Sequence, residues 1–179
     1  MKRSILFAAI AALAITGTAS AAEIDYNYVD LGYYKVDDAS DGPAIRGGLR
    51  FGESNFYGNA AYTRQNIDGW DVKYNLGQIN VGYAHGLAAA TDLQVELGYQ
   101  RASAEGESID GYRGAVGVAH AFNDNFHGFI RANHYFGGDL ESDTTGTLGA
   151  LAKFNQNWGV TGEVEFADGG NTYLAAVRY

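Results

Sequence analysis

The stretch TYLAAVRY, residues 172–179, decides the fold class. Apolar or aromatic side chains recur in it at every second position, namely Tyr173, Ala175, Val177 and Tyr179. This is the period of a β-strand with one apolar face, so that Thr172, Leu174, Ala176 and Arg178 would face a barrel interior. Transmembrane barrel strands alternate in this way and place aromatic residues at the membrane–water interface. We therefore predict an outer-membrane β-barrel whose assembly signal comprises Tyr173, Val177 and Tyr179.

The first 22 residues have the layout of a secretory signal peptide. Lys2 and Arg3 precede an apolar run from Ile5 to Ile15, and small residues continue to Ala22. The run is shorter than the roughly 18–20 apolar residues of a helical span, and no other stretch reaches that length. We expect cleavage after Ala21 or Ala22, a single domain over residues 23–179, and membrane crossing by strands.

Composition narrows the possible functions. The formal net charge of −9 becomes −11 once Lys2 and Arg3 are removed, which disfavours nucleic acid and anionic membrane surfaces as electrostatic partners. Cysteine is missing from the sequence, so neither disulfides nor thiol chemistry is expected. The 25 glycines, 13 tyrosines and single proline favour tight turns, aromatic belts and uninterrupted strand ladders. No cofactor motif is found.

Alternation of apolar and polar residues continues through the mature chain. In residues 93–100, Leu93, Val95, Leu97 and Tyr99 alternate with Gln94, Glu96, Gly98 and Gln100. About ten such segments predict an all-β, antiparallel up-and-down transmembrane barrel, with eight strands as the alternative. A change of parity predicts a bulge near Gly77. An even strand number places both termini in the periplasm.

Predicted connections alternate between short turns rich in Asn and Gly and longer acidic loops. The long ones are residues 36–43, 66–71, 101–110 and 137–145, which we expect outside the cell. Most acidic residues lie in the connections assigned to that side: Asp37, Asp38, Asp41, Asp68, Asp71, Glu105, Glu107, Asp110, Asp139, Glu141, Asp143 and Asp168. The opposite turns contain Glu53, Asp92 and Asp124, and the connection 85–91 is unusually long for that side.

A soluble lipocalin-like barrel is the structural alternative. Such a barrel hides its apolar face inside and would turn its charged strand residues to water. The aromatic residues favour the membrane barrel, because they concentrate at strand ends, where interfacial belts lie. Examples are Tyr33, Phe51, Phe56, Tyr83, Phe122, Phe126, Phe154, Trp158 and Tyr179.

Several short motifs resemble one protein family. They are Tyr26-Asn27-Tyr28-Val29 with Gly32-Tyr33, the pairs Gly82-Tyr83 and Gly98-Tyr99, and Asn155-Gln156-Asn157-Trp158-Gly159. With these the mature chain resembles the small outer-membrane barrels of xanthomonads that are regulated by diffusible signal factor. The resemblance implies an outer-membrane and vesicle-associated protein tied to biofilm, motility and virulence, without catalytic residues.

Charged residues of inward parity predict an interior network. Its members are Arg46, Arg50, Glu96, Arg113, Arg131, Lys153, Glu163, Glu165 and Arg178. Charges in a narrow lumen must pair or stay hydrated, so we expect a plugged, ion-paired interior. The excess of cations would bias any residual conduction toward anions, which makes a small anion-leaning, porin-like channel the alternative function.

Catalytic and metal sites are weakly indicated. His134 lies near an acidic loop and would suit a rim hydrolase, but it shares parity with lipid-facing Ile130 and Ala132, whereas His85, His120 and His127 lie toward the periplasm. The acidic clusters Asp37, Asp38, Asp41 and Asp139, Glu141, Asp143 lack the spacing of a calcium loop. We interpret His134 as an interfacial residue and the clusters as solvated loops.

The sequence therefore predicts a monomeric, non-enzymatic outer-membrane barrel. Its extracellular loops would serve surface interaction, adhesion or biofilm formation. The expected partners are the barrel assembly machinery, outer-membrane lipid and lipopolysaccharide, the last through divalent cations that bridge acidic loops to phosphates.

Overall fold

The computed structural model describes residues 24–70 and 72–179, which form strands, the turns between them and a short segment before the first strand. The predicted signal peptide, residues 1–22, lies outside the described residues. Ten strands are formed: β1 (Tyr28–Val36), β2 (Ser40–Arg50), β3 (Phe56–Ile67), β4 (Lys73–Ala88), β5 (Thr91–Ala104), β6 (Glu107–Ala121), β7 (Phe126–Phe136), β8 (Asp143–Lys153), β9 (Gly159–Ala167) and β10 (Gly170–Arg178). The ten-strand prediction is confirmed over the eight-strand alternative.

Each strand pairs antiparallel with its sequence neighbours, and β1 pairs with β10 to close the barrel. Leu31 lies opposite Val177 at this seam. The Val29 and Tyr179 backbones exchange two hydrogen bonds, of 2.8 and 2.9 Å, just beyond the last strand residue. Closure leaves no open strand edge, which is what a barrel in lipid requires. Within residues 24–70 and 72–179, no helix is long and apolar enough to cross a membrane.

The outer surface of the barrel is apolar and the interior polar. On β5, Val95 is 50% exposed and Leu97 62% exposed, whereas Glu96 between them is 5% exposed. A soluble lipocalin-like barrel would have the reverse arrangement, so that alternative is wrong. A closed barrel that turns apolar side chains outward and buries its charges is an outer-membrane protein.

Aromatic side chains form a belt near each end of the barrel. At the end that carries both termini, pairs form between Phe56 and Tyr83 and between Trp158 and Tyr179, each with ring centroids 5.0 Å apart. At the other end, Tyr99 lies 5.9 Å from Tyr112 across the β5–β6 pair. These belts mark the two interfaces, and the end with the termini faces the periplasm.

Three details of the predicted strands are wrong. The extracellular connections are shorter than predicted. In the clearest case, residues 101–104 pair with 107–110 and leave a turn of only residues 105 and 106. Strands β4 and β5 likewise reduce the connection 85–91 to residues 89 and 90. The irregularity of β4 lies between Gly86 and Ala88, while pairing is continuous through Gly77. Parity did not change at Gly77; apolar Leu76 instead faces the interior, where it lines the cavity described below.

Candidate functional site: the barrel interior

Glu96 is the hub of the first interior cluster. Its carboxylate is bonded by the Arg113 guanidinium, lies 3.4 Å from Arg131 Nη1, and accepts a hydrogen bond of 2.9 Å from the Tyr57 hydroxyl. Asn59 Nδ2 donates to it at 3.2 Å. Side chains from β3, β5, β6 and β7 thus meet at one carboxylate in the lumen.

The cluster continues across the barrel through amides and hydroxyls. Arg113 Nη1 donates to Asn133 Oδ1 at 2.9 Å, and Asn133 Nδ2 donates to the hydroxyls of Thr145 and Thr147 at 3.1 and 2.9 Å. Thr145 in turn donates to Glu165 at 2.7 Å. Asn133 is 1% exposed, so its amide has exchanged water for these partners. The connected side chains extend from β3 around to β9.

Asp30 is the hub of the second cluster, at the closing seam. Arg46 Nη2 lies 2.6 Å from Asp30 Oδ2 and 2.7 Å from Glu163 Oε1. From the other side of the seam, Arg178 donates to Asp30 twice, through Nε at 2.7 Å and Nη2 at 2.8 Å. The Arg178 guanidinium also lies 3.8 Å from the centroid of the Tyr28 ring. Such a bidentate pair fixes the relative orientation of the two side chains and also neutralises their charges.

The chain segment before β1 folds into the periplasmic end of the lumen. Tyr26 is 5% exposed; its hydroxyl donates to Asp92 at 2.7 Å, and its ring lies 4.4 Å from that of Tyr57. The Arg50 guanidinium lies 4.9 Å from the same Tyr26 ring. Burial raises the pKa of the Tyr26 phenol. We call residues 24–27 the N-terminal plug.

A cavity of about 190 Å³ persists between the two clusters. Its lining includes Tyr34, Gln78, Arg113, Arg131 and Glu163. Arg113 Nε and Arg131 Nε are buried there without a hydrogen-bond partner among the described residues. A polar cavity of this size holds several water molecules, which would satisfy those groups.

The structure brings most of the predicted network together. Glu163 contacts Arg46, and Arg178 contacts Asp30, a residue that was not among the predicted members. Glu165 accepts hydrogen bonds from hydroxyls, including Tyr135 at 2.9 Å. Lys153 has inward parity and no ion pair within residues 24–70 and 72–179.

Asp30 and Asp92 were missed at the sequence level. Asp30 stands between outward Val29 and Leu31, so parity alone could have found it, and Asp92 belongs to β5 and not to a turn. With them, the inward-facing strand residues away from the extracellular strand ends include six cations and five carboxylates: Arg46, Arg50, Arg113, Arg131, Lys153, Arg178, Asp30, Asp92, Glu96, Glu163 and Glu165. Asp25 of the N-terminal plug also lines the cavity. The predicted excess of cations is therefore nearly cancelled.

The residues singled out at the rim lie apart from this interior. His134 faces outward, with Nδ1 2.9 Å from the Thr144 hydroxyl and its ring stacked on Phe136 at 5.7 Å. Within residues 24–70 and 72–179, no group of three His, Cys, Asp or Glu side chains could hold a metal ion. Tyr173, Val177 and Tyr179 all face outward on β10 and beyond it, being 38%, 44% and 58% exposed.

Comparisons with known proteins agree with the fold. No protein-family model matches the chain, and no curated protein matches it in sequence. Among solved structures it is similar to KdgM porin, with a TM-score of 0.53 and 14% identity over 85% of this chain and 98% of that one. It is also similar to NanC porin, with a TM-score of 0.54 and 11% identity over 86% and 98% of the two chains. The class is an outer-membrane β-barrel with porin-like architecture.

Proposed function

We propose that this protein is a closed outer-membrane barrel that serves surface interaction, adhesion or biofilm formation through its acidic extracellular turns. The observation that carries the proposal is the interior network. Glu96 joins four strands, and Asp30 with Arg46 joins β1, β2, β9 and β10 through contacts of 2.6 to 2.8 Å. A lumen crossed by such contacts suits a scaffold for surface loops better than an open pore.

The family resemblance supports the surface role, since it implies biofilm and vesicle association. The acidic turns give the extracellular rim a negative potential, so contact with lipopolysaccharide phosphates would require divalent cations between them. Asp139 also accepts a hydrogen bond of 3.1 Å from the backbone of Asp110, which holds the β7–β8 connection against β6. We propose this acidic rim as the contact surface and the monomer as the functional unit.

Cell aggregation and surface adhesion test the surface role. Cells carrying the protein are compared with cells carrying a variant in which Asp139, Glu141 and Asp143 become Asn, Gln and Asn. We expect aggregation to fall in the variant, and in the wild type when a chelator removes Ca²⁺ and Mg²⁺. The matched control changes Asp124, in a periplasmic turn, to Asn. If chelator and variant both leave aggregation unchanged, the acidic rim has no such role.

A narrow channel is the second candidate function, favoured by the cavity of about 190 Å³ and by the porin-like fold. One solved structure of KdgM porin is described as a complex with disordered oligogalacturonate. For the present chain we propose at most passage of small solutes, with weak ionic selectivity because interior carboxylates nearly balance the six interior cations. This replaces the anion preference expected from sequence.

Conductance across planar bilayers separates the two candidates. The closed barrel should insert without steady current, and Tyr26→Ala should raise conductance by loosening the N-terminal plug. Tyr173→Ala, an outward change, is the control. Steady current from the wild-type protein would favour the channel.

A further inference from the structure

The outward-facing cations are distributed very unevenly. Of the twelve Lys and Arg residues, Lys2 and Arg3 lie outside the described part, and six of the other ten face the interior. The four that face outward, Lys35, Arg64, Lys73 and Arg101, all lie toward the extracellular ends of their strands. At the periplasmic end, the described residues place no Lys or Arg on the outer surface.

All four outward cations lie on one wall of the barrel, and Arg64 and Lys73 are neighbours there. Lys35 and Arg101 flank this pair, each two strands away from Arg64. Arg64 lies opposite Asn75 on β4, and Lys73 stands two residues further toward the cell surface, which places the two cations diagonally across the β3–β4 pair at about 7 Å between Cβ atoms. Arg101 lies opposite Gly77 on the next strand pair. We call Arg64, Lys73 and Arg101 the outer cation patch.

The patch stands directly above the extracellular aromatic belt. Tyr62 precedes Arg64 by two residues and Tyr99 precedes Arg101 by two, so each tyrosine shares the outward face of its cation. Tyr62 is 48% exposed and Tyr99 37% exposed. Because tyrosines mark the headgroup level of a bilayer, the cations lie where lipid headgroups begin.

The three cations of the patch form no ion pair with a carboxylate among the described residues. The Arg101 guanidinium donates to the Ser108 hydroxyl at 2.8 Å although Asp110 lies opposite it in register. The interior, by contrast, pairs most of its arginines. Exposed cations beside an aromatic belt are complementary to anionic headgroups.

We propose that the outer cation patch binds phosphate groups of the lipopolysaccharide lipid anchor in the outer leaflet. Arg64, Lys73 and Arg101 supply charge-assisted hydrogen bonds to phosphate oxygens, while the tyrosines below them contact the sugar and the upper acyl chains. The contact is direct and needs no divalent cation. It depends on the outer-membrane location and not on the surface role proposed above, so either proposal can fail alone.

Binding of purified diphosphoryl lipid A to the folded protein in detergent tests the proposal. Native mass spectrometry counts bound lipid for the wild type, for Arg64→Gln/Lys73→Gln/Arg101→Gln, and for the single variants. We expect binding about tenfold or more weaker in the triple variant, because each cation near an anionic headgroup contributes separately. Dephosphorylated lipid A should bind as weakly to the wild type as diphosphoryl lipid A does to the triple variant.

Lys153→Gln is the control for Arg64→Gln. Lys153 also carries a positive charge without an ion pair among the described residues, but it has inward parity and lies at the periplasmic end of β8, away from the patch. Its change should leave lipid binding within about twofold of wild type, while Arg64→Gln should lower it by about fivefold. A retained shift in gel mobility between heated and unheated samples verifies that each variant is folded.

Four results would overturn the proposal. Two are equal binding by wild type and triple variant and equal binding of phosphorylated and dephosphorylated lipid. The third is loss of binding when a chelator is added, which would assign lipid contact to cation-bridged acidic turns. The fourth is displacement of lipid A by millimolar inorganic phosphate, which would define a free-phosphate site.

Discussion

Asp30 connects both sides of the closing seam, although it was not among the residues predicted from sequence. It is 1% exposed and contacts Arg46 on one side and Arg178 on the other. Its replacement would leave Arg178 without its carboxylate, whereas Arg46 would keep Glu163. Removing one partner of a buried ion pair costs about 3 to 5 kcal/mol, because the other charge stays buried.

We therefore expect Asp30→Asn to lower the free energy of unfolding by about 3 kcal/mol or more. Glu163→Gln should cost less, since Arg46 retains Asp30. The urea midpoint of the folded barrel in detergent measures both, with exposed Asp168→Asn as control. Equal midpoints for the wild type and Asp30→Asn would show that water screens the lumen.

Gly82 leaves space for the ring of Tyr57 inside the barrel. A Cβ at Gly82 would lie 2.3 Å from Cζ of Tyr57, whose hydroxyl is fixed by Glu96. At Gly77, on the same strand, a Cβ would meet nothing within 4 Å. Gly82→Ala should thus cost about 1 to 3 kcal/mol of stability through overpacking, and Gly77→Ala should be nearly neutral.

Unfolding of these two glycine variants in urea measures the difference. If both unfold at the same concentration, the Tyr57 ring moves aside at no cost. In that case the bond between Tyr57 and Glu96 contributes little to the interior.

At the scale of the elements, β10 closes the barrel through its last residues. The Tyr179 backbone donates to and accepts from Val29, and its ring lies 5.0 Å from that of Trp158. Deleting Tyr179 should lower the yield of assembled protein in the outer membrane far more than deleting Ser142, in the β7–β8 connection. Quantitative blotting of outer-membrane fractions checks this, and equal yields would refute the assembly role of the terminal residues.

Alternation of side chains was enough to predict which face of most strands turns to lipid, and it placed Val95, Leu97 and Val177 correctly. It could not predict strand length, because hairpins such as 101–104 with 107–110 extend beyond the membrane through backbone bonds that any sequence can form. Nor could it predict partners in the lumen. Asp30 meets Arg46 and Arg178 through closure, and closure is a property of the whole sheet.

At the scale of the whole molecule, complete pairing of ten strands predicts cooperative resistance to detergent. Unheated protein in dodecyl sulfate should migrate differently from heated protein, and it should fractionate with outer membrane and vesicles. Recovery in the soluble periplasmic fraction, with a single gel mobility, would contradict the membrane assignment. This result is independent of the outer cation patch and of the acidic rim.

The seam between β1 and β10 also sets the timing of folding. Asp30 and Arg178 are 148 positions apart in the chain, so their contact forms only after almost every residue has been delivered. Until then two strand edges are exposed at once, and long-range pairing of this kind is slow. Before its last strand pairs, the polypeptide therefore exposes strand edges that can pair with other chains, and this is the stage of folding at which aggregation is expected.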